Sequence, residues 1–194
     1  MGFLNDLIRK LTGAGERAIR GDVKNAANTE RSIVFEKLPA SVEEMKTAPG
    51  GDLKDPFAVA ALTVTAYAKY PENPALCYEM LNMLRGPRPL SEHEKAFIRD
   101  RFMDGKDYVP RSYFKGAVPA NNYTPSKPYT VTVSDNPYSR QNEGYLTLYV
   151  TSGGADSPRP ITLRQKASTQ EWFFWDTPGI LADIRVPKSA DPWA

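Results

Sequence analysis

The hydrophobic pattern of this chain changes from a helical period to a strand period near residue 128. Before this point apolar residues recur every three or four positions, and beyond it apolar and polar residues alternate. Runs of helices followed by runs of strands are typical of α+β folds. We therefore expect an α+β domain, in which an N-terminal layer of four to five helices packs on a C-terminal antiparallel sheet of about four strands.

Four helices carry clear start signals. Ser41 and Ser91 each precede a glutamate by three positions, which is the spacing of a capping box. Asp55 and Asn73 each precede a proline, which suits the first position of a helix. These signals predict helices near residues 41–47, 56–70, 74–85 and 92–103. The apolar run at 57–68 is shorter than the roughly 18 residues that span a bilayer, so it is interpreted as a buried core helix.

Strands are predicted on both sides of these helices. The segment 32–36, SIVFE, has the β-branched and aromatic content of a short strand. Antiparallel strands are expected between residues 129 and 186, with alternation clearest in 129–134, 145–151 and 161–166. In EWFFW, 171–175, both faces are apolar, which predicts a strand covered on both sides.

The first 28 residues form a separate part of the predicted organisation. Residues 3–11 have an amphipathic helical pattern, and Gly13 and Gly15 then end it. We expect residues 1–28 to be this helix with a flexible joint, and residues 29–194 to be a single α+β domain. Only Arg9 and Lys10 could attract an anionic membrane, so peripheral membrane attachment is the weakest of the functions considered.

Charge and residue counts argue against several classes of function. The chain has 25 basic and 23 acidic residues, which is no electrostatic footprint for nucleic acid. Its single cysteine, Cys77, excludes an intramolecular disulfide framework and multi-cysteine metal sites, and fits a reducing cytoplasm. His93 is the only histidine and sits in the first turn of a predicted helix. We therefore predict no catalytic residue, cofactor, metal site or stable membrane insertion, and incline against an enzyme.

The segment 107–128 is long, irregular and rich in tyrosine and proline. Seven of the ten tyrosines of the chain fall between residues 108 and 149. Long loops without secondary structure are uncommon in compact domains and often have a function. Two interpretations stay open: a strap whose rings are buried in the domain, or a recognition loop whose rings contact a partner. Full burial of Tyr113 and Tyr123 would favour the strap.

Candidate binding residues come from this segment and from the polar face of the predicted sheet. Arg164 and Lys166 project from that face together with tyrosines and threonines, although alternation alone produces such a face in any half-buried sheet. The candidates are Tyr108, Arg111, Tyr113, Asn121, Asn122, Tyr123, Tyr145, Tyr149 and Arg164.

The leading hypothesis for these residues is a non-enzymatic module that binds an unknown protein or peptide partner through the Tyr/Pro-rich loop. The alternative is a small-molecule-binding protein or enzyme with a pocket between that loop and the sheet, where Arg111 or Arg164 holds an anion. That alternative requires a cavity of about 300 Å³ or more.

A resemblance to a known protein family is carried by three stretches: DPFAVAALTVTAYAKYPENPALCYEMLNMLRGPRPLS, GKDYVPRSYFKGAVPANNYTPSKPYTVTV and GADSPRPITLRQKASTQEWFFWDTPGILADIRVP. Together with the terminal DPWA they resemble a bacterial family of domains of unknown function, found mainly in anaerobic Gram-positive bacteria. The resemblance covers roughly residues 30–194. It implies a bacterial cytosolic protein and one domain, and it brings no activity, cofactor or catalytic residue.

Overall fold

The computed structural model describes residues 28–176 and 179–193, and it confirms the α+β class. The amphipathic pattern at residues 3–11 lies outside the described residues. The helices are α1 (Val42–Thr47), α2 (Pro56–Ala68), α3 (Pro74–Arg85), α4 (Glu92–Arg101) and the short α5 (Tyr108–Arg111). Single 3-10 turns occur at Pro119–Asn121 and Lys188–Ala190. Each of the four predicted helices is present, with ends within two residues of the expected ones.

The sheet has five antiparallel strands rather than about four. They are β1 (Glu30–Phe35), β2 (Tyr129–Ser134), β3 (Tyr145–Val150), β4 (Arg159–Lys166) and β5 (Glu171–Asp176), and they lie side by side in chain order. The additional strand is β1, which precedes the helices in sequence and returns to pair with β2, placing Ile33 opposite Val131. Among the described residues no strand follows β5, so the strand region ends earlier than residue 186.

Helix α2 forms the centre of the core. Its residues 57–67 are all buried, and the helix contacts all five strands. A helix that is apolar on every side is expected to be enclosed by other elements, and α2 is covered by the sheet and by α3 and α5. Asp55 caps it by accepting a hydrogen bond from the Phe57 N–H (3.1 Å). The predicted core helix is thereby confirmed, and no helix of the described ranges is both long and apolar enough to cross a membrane.

Alternate residues of the sheet face α2, and the remaining ones form a half-buried outer face. On β5, Trp172 and Phe174 are buried while Phe173 and Trp175 are only partly covered. The outer edge of β5 is occupied by other segments: the Trp172 N–H donates to the Leu53 carbonyl (2.7 Å), and the Arg85 guanidinium donates to the Trp175 carbonyl (3.3 Å). Covering an edge in this way prevents unwanted pairing with another strand.

Candidate functional site

Two tyrosines of the 107–128 segment are core residues. The side chains of Tyr113 and Tyr123 are 2% and 0% exposed. Their hydroxyls donate to backbone carbonyls of the C-terminal segment, at Ile180 (2.8 Å) and Arg185 (2.6 Å) respectively. These two rings meet the condition stated for a strap, because neither is accessible to a partner in this conformation. Their hydroxyls also hold the chain that follows β5.

Other candidates of the segment have structural contacts of the same kind. Tyr108 is buried and stacks on Tyr123 with ring centroids 5.3 Å apart. The Asn121 side chain bridges the loop, accepting from the Val118 N–H (3.0 Å) and donating to the Gly116 carbonyl (2.8 Å).

The remaining two candidates of the segment are exposed. Asn122 adopts a left-handed backbone conformation, and its side chain accepts a hydrogen bond from the Ser189 N–H (2.9 Å). Arg111 lies at the end of α5. The segment is therefore built mainly from internal contacts.

On the outer face of the sheet the structure brings two predicted residues together. Tyr145 and Arg164 are register partners on β3 and β4, and the Arg164 guanidinium carbon lies 5.3 Å from the centroid of the Tyr145 ring. Tyr149 lies four positions along β3, opposite Pro160, and is half-buried. Tyr145 and Arg164 thus belong to one cluster, from which Tyr149 is separated along the strand.

Trp175 completes this cluster because of an irregularity in β5. Leu163 is opposite Phe174 while Thr162 is opposite Asp176, so Trp175 is the extra residue of a β-bulge. Bulges redirect a side chain and are over-represented beside functional sites. The Trp175 ring lies 5.6 Å from that of Tyr145, nearly perpendicular to it, and 4.7 Å from the Arg164 guanidinium carbon.

A second arginine reaches the same ring from the turn between α3 and α4. The Arg88 guanidinium carbon lies 4.4 Å from the Trp175 centroid. Gly86 makes this turn possible: its φ is +57°, and a Cβ there would collide with the Phe173 ring. The backbone of the turn can therefore pack directly on the outer face of β5, which brings Arg88 beside Trp175.

Between this turn and strands β4 and β5 lies a cavity of about 470 Å³, which we call the arginine–tryptophan cleft. It is lined by Arg85, Pro87, Arg88, Arg164, Gln165, Lys166, Ala167, Phe173 and Trp175. Its volume is within the range typical of ligand sites. It does not lie between the 107–128 loop and the sheet, where the small-molecule hypothesis placed its pocket. The tyrosine rings of that loop are instead packed against the C-terminal segment.

One carboxylate partly neutralises the cleft. Glu94 pairs with the buried Arg85 at 2.6 Å and with the exposed Arg88 at 3.4 Å. Burial raises the pKa of Glu94, but hydrogen bonds from Ser91 and the charges of Arg85 and Arg88 outweigh it, so the net pKa is below the usual value. Glu94 is therefore ionised at neutral pH, and the shorter pair is the one with Arg85. The exposed Arg88 guanidinium is therefore only weakly paired with Glu94 and can bind another anion.

The other two cations of the cleft, Arg164 and Lys166, form no ion pair within the part of the chain that the structure describes. Glu171 is the register partner of Lys166, but its carboxylate accepts a hydrogen bond from Thr169 instead (2.6 Å). The cleft lining includes no carboxylate, histidine or thiol among the described residues. An arrangement of exposed cations beside aromatic rings is suited to binding anions.

The described residues offer no comparable arrangement for a metal ion. Across residues 28–176 and 179–193, no group of three or more histidine, cysteine, aspartate or glutamate side chains could hold an ion. Cys77 is fully buried, and burial raises the pKa of its thiol, so it is a small core residue in a non-nucleophilic form.

Sequence reasoning missed Arg88 and Trp175 as site residues. Both had a signal: Trp175 follows Phe173 at strand spacing, and Arg88 stands in a Gly-Pro-Arg-Pro turn that ends one helix before the next begins. The contact between Arg88 and Trp175 could not be predicted from the sequence, because it depends on the bulge at Trp175.

Most of the chain matches a known protein family. A family model described as "Domain of unknown function (DUF6935)" matches residues 37–188, which is well over half of the chain. No curated protein matches the sequence. No solved structure matches it either.

Proposed function

This chain belongs to a family of domains of unknown function, and we propose that it is a non-enzymatic protein-interaction module that binds an acidic segment of a partner in the arginine–tryptophan cleft. The observation that carries the proposal is the position of Arg88 and Arg164. Both guanidinium carbons lie within 5 Å of the centroid of the Trp175 ring. Arg88 pairs with Glu94 at 3.4 Å, and Arg164 has no ion pair within the described ranges.

Electrostatics supports an anionic ligand. Three exposed cations, Arg88, Arg164 and Lys166, lie around one cleft, and an anion bound among them would reduce their mutual repulsion. Guanidinium groups form strong, directional hydrogen bonds with carboxylates, and rings that hold them in place reduce the entropy lost on binding. Binding is therefore expected to weaken as salt concentration rises.

The aromatic residues that line the cleft favour a peptide as the ligand. Phe173 and Trp175 are half-buried and line the cleft beside the cations, so apolar groups next to a carboxylate can cover them. Interfaces commonly combine such aromatic surfaces with arginine. The half-buried Tyr145 ring packs against Trp175 on the outer sheet face and adds a further aromatic surface beside the cleft. A cytoplasmic location is part of this proposal, supported by the single buried cysteine.

The volume of the cleft favours a second candidate function, the binding of a small organic anion. A cavity of about 470 Å³ exceeds the minimum of about 300 Å³ expected for such sites. In this case the anion is held by Arg164, one of the two arginines named in the alternative hypothesis, and the pocket lies between the α3–α4 turn and strands β4 and β5.

Replacement of Arg164 tests the proposed site. We expect Arg164→Ala to weaken binding of a short glutamate-rich peptide about tenfold, because one charge-assisted contact is lost. Fluorescence anisotropy of the labelled peptide measures the change, with the glutamine version of the peptide as the neutral ligand. Arg111→Ala is the matched control, since it removes an equal charge from an exposed position outside the cleft lining. Equal affinities of the two variants would refute the site.

A further inference from the structure

We propose that the cleft recognises acidic residues at alternate positions of an extended peptide, the pattern Glu-x-Glu; this inference rests on the proposed function. Its basis is the spacing of the cations. Arg164 and Lys166 stand two residues apart on β4 and are both exposed, while Leu163 is buried on the opposite face. Side chains two residues apart on a strand lie on one face at a separation of about 6.8 Å.

An extended ligand has the same repeat. Its side chains at i and i+2 point to one side and are also about 6.8 Å apart, whereas neighbours at i and i+1 point to opposite sides. A segment that runs along β4 therefore places one glutamate at Arg164 and the next alternate glutamate at Lys166. Adjacent glutamates could not both reach the row of cations.

Arg88 and Arg164 lie close to the same ring, that of Trp175. The Arg88 guanidinium carbon is 4.4 Å from the Trp175 centroid, and that of Arg164 is 4.7 Å from it, so the two carbons are at most about 9 Å apart. This limit accommodates two carboxylates in i, i+2 spacing.

A helical ligand would present a different spacing. Its side chains lie on one face when they are three or four residues apart, so the position of the two glutamates distinguishes a helix from an extended segment.

A set of peptides with the same composition tests this inference on the full chain. Each peptide carries two glutamates in a neutral background, placed adjacent, at alternate positions, or four residues apart. We expect the alternate spacing to bind about fivefold more tightly than either of the others, as measured by anisotropy. Lys166→Ala is expected to abolish most of this preference, and Arg111→Ala to leave it unchanged.

The possible outcomes separate the two proposals. Equal affinity for all three spacings, combined with weaker binding by Arg164→Ala, would refute the spacing rule and leave the acidic-peptide function standing. Tightest binding at four-residue spacing would also refute the rule, since it indicates a helical ligand. Failure of every acidic peptide to bind would refute the proposed function itself.

Discussion

Replacing Tyr123 with alanine is expected to lower the free energy of unfolding by about 3–5 kcal/mol, the cost typical of deleting a buried aromatic side chain. The mutation removes the stack on Tyr108 and the hydrogen bond to the Arg185 carbonyl (2.6 Å). It also empties the space against Gly154, where the backbone approaches the ring so closely that a Cβ would collide with the tyrosine hydroxyl. In a chain of this size the melting temperature should fall by roughly 6–20 °C.

Two further variants serve as comparisons for Tyr123→Ala. Tyr123→Phe keeps the ring and loses only the hydrogen bond, so its cost should be about 1 kcal/mol or slightly more. Tyr138→Ala is the matched control, because that ring is 68% exposed and its loss should change stability by less than about 0.5 kcal/mol. If Tyr123→Ala melted at the wild-type temperature, the 107–128 segment would not be a strap.

Alkaline pH is expected to unfold the domain through its buried tyrosines. Burial raises the pKa of Tyr123 to about 12, and burial likewise raises the pKa values of Tyr70, Tyr108 and Tyr113. In the unfolded chain these hydroxyls ionise near pH 10. Above that pH the unfolded state has released protons that the folded state still binds, so rising pH favours unfolding.

The stability contributed by these neutral hydroxyls is thus complete below about pH 10 and is lost as pH rises through the folded-state values. Each tyrosine can remove up to about 1.4 kcal/mol per pH unit over its interval. Urea denaturation at a series of pH values measures the slope. Tyr113→Phe should show a shallower fall above pH 10, because it has one fewer hydroxyl to titrate. A wild-type stability that stayed flat up to pH 12 would contradict the burial of these groups.

Local signals in the sequence were sufficient for most of the fold. The caps at Asp55 and Asn73 identified the helix starts, because a capping interaction involves residues within one turn of each other. The alternation in β3 and β4 identified their buried faces. The pairing of β1 with β2 was missed, because its partners are about a hundred residues apart in the chain and no local pattern specifies which strand a strand will join.

For the candidate site, too, local features were predicted from the sequence and long-range contacts were not. Tyr145 and Arg164 were identified from alternation, and they do meet across β3 and β4. The abundance of tyrosine in 107–128 drew attention to a segment whose rings hold the C-terminal chain, since a sequence shows which residues are aromatic and not which ones find a carbonyl to bond. Trp175 and Arg88 meet only because a bulge and a glycine turn bring β5 and the α3–α4 connection together.

The most direct test of the proposed function is an NMR titration that follows the indole N–H signals of the three tryptophans. Trp175 lines the cleft, Trp172 is buried in the core, and Trp193 is 93% exposed near the C-terminus. On addition of the glutamate-rich peptide we expect the Trp175 signal to shift in proportion to binding while the Trp193 signal stays in place. Binding of the peptide with an unchanged Trp175 signal would show that the arginine–tryptophan cleft is not the site.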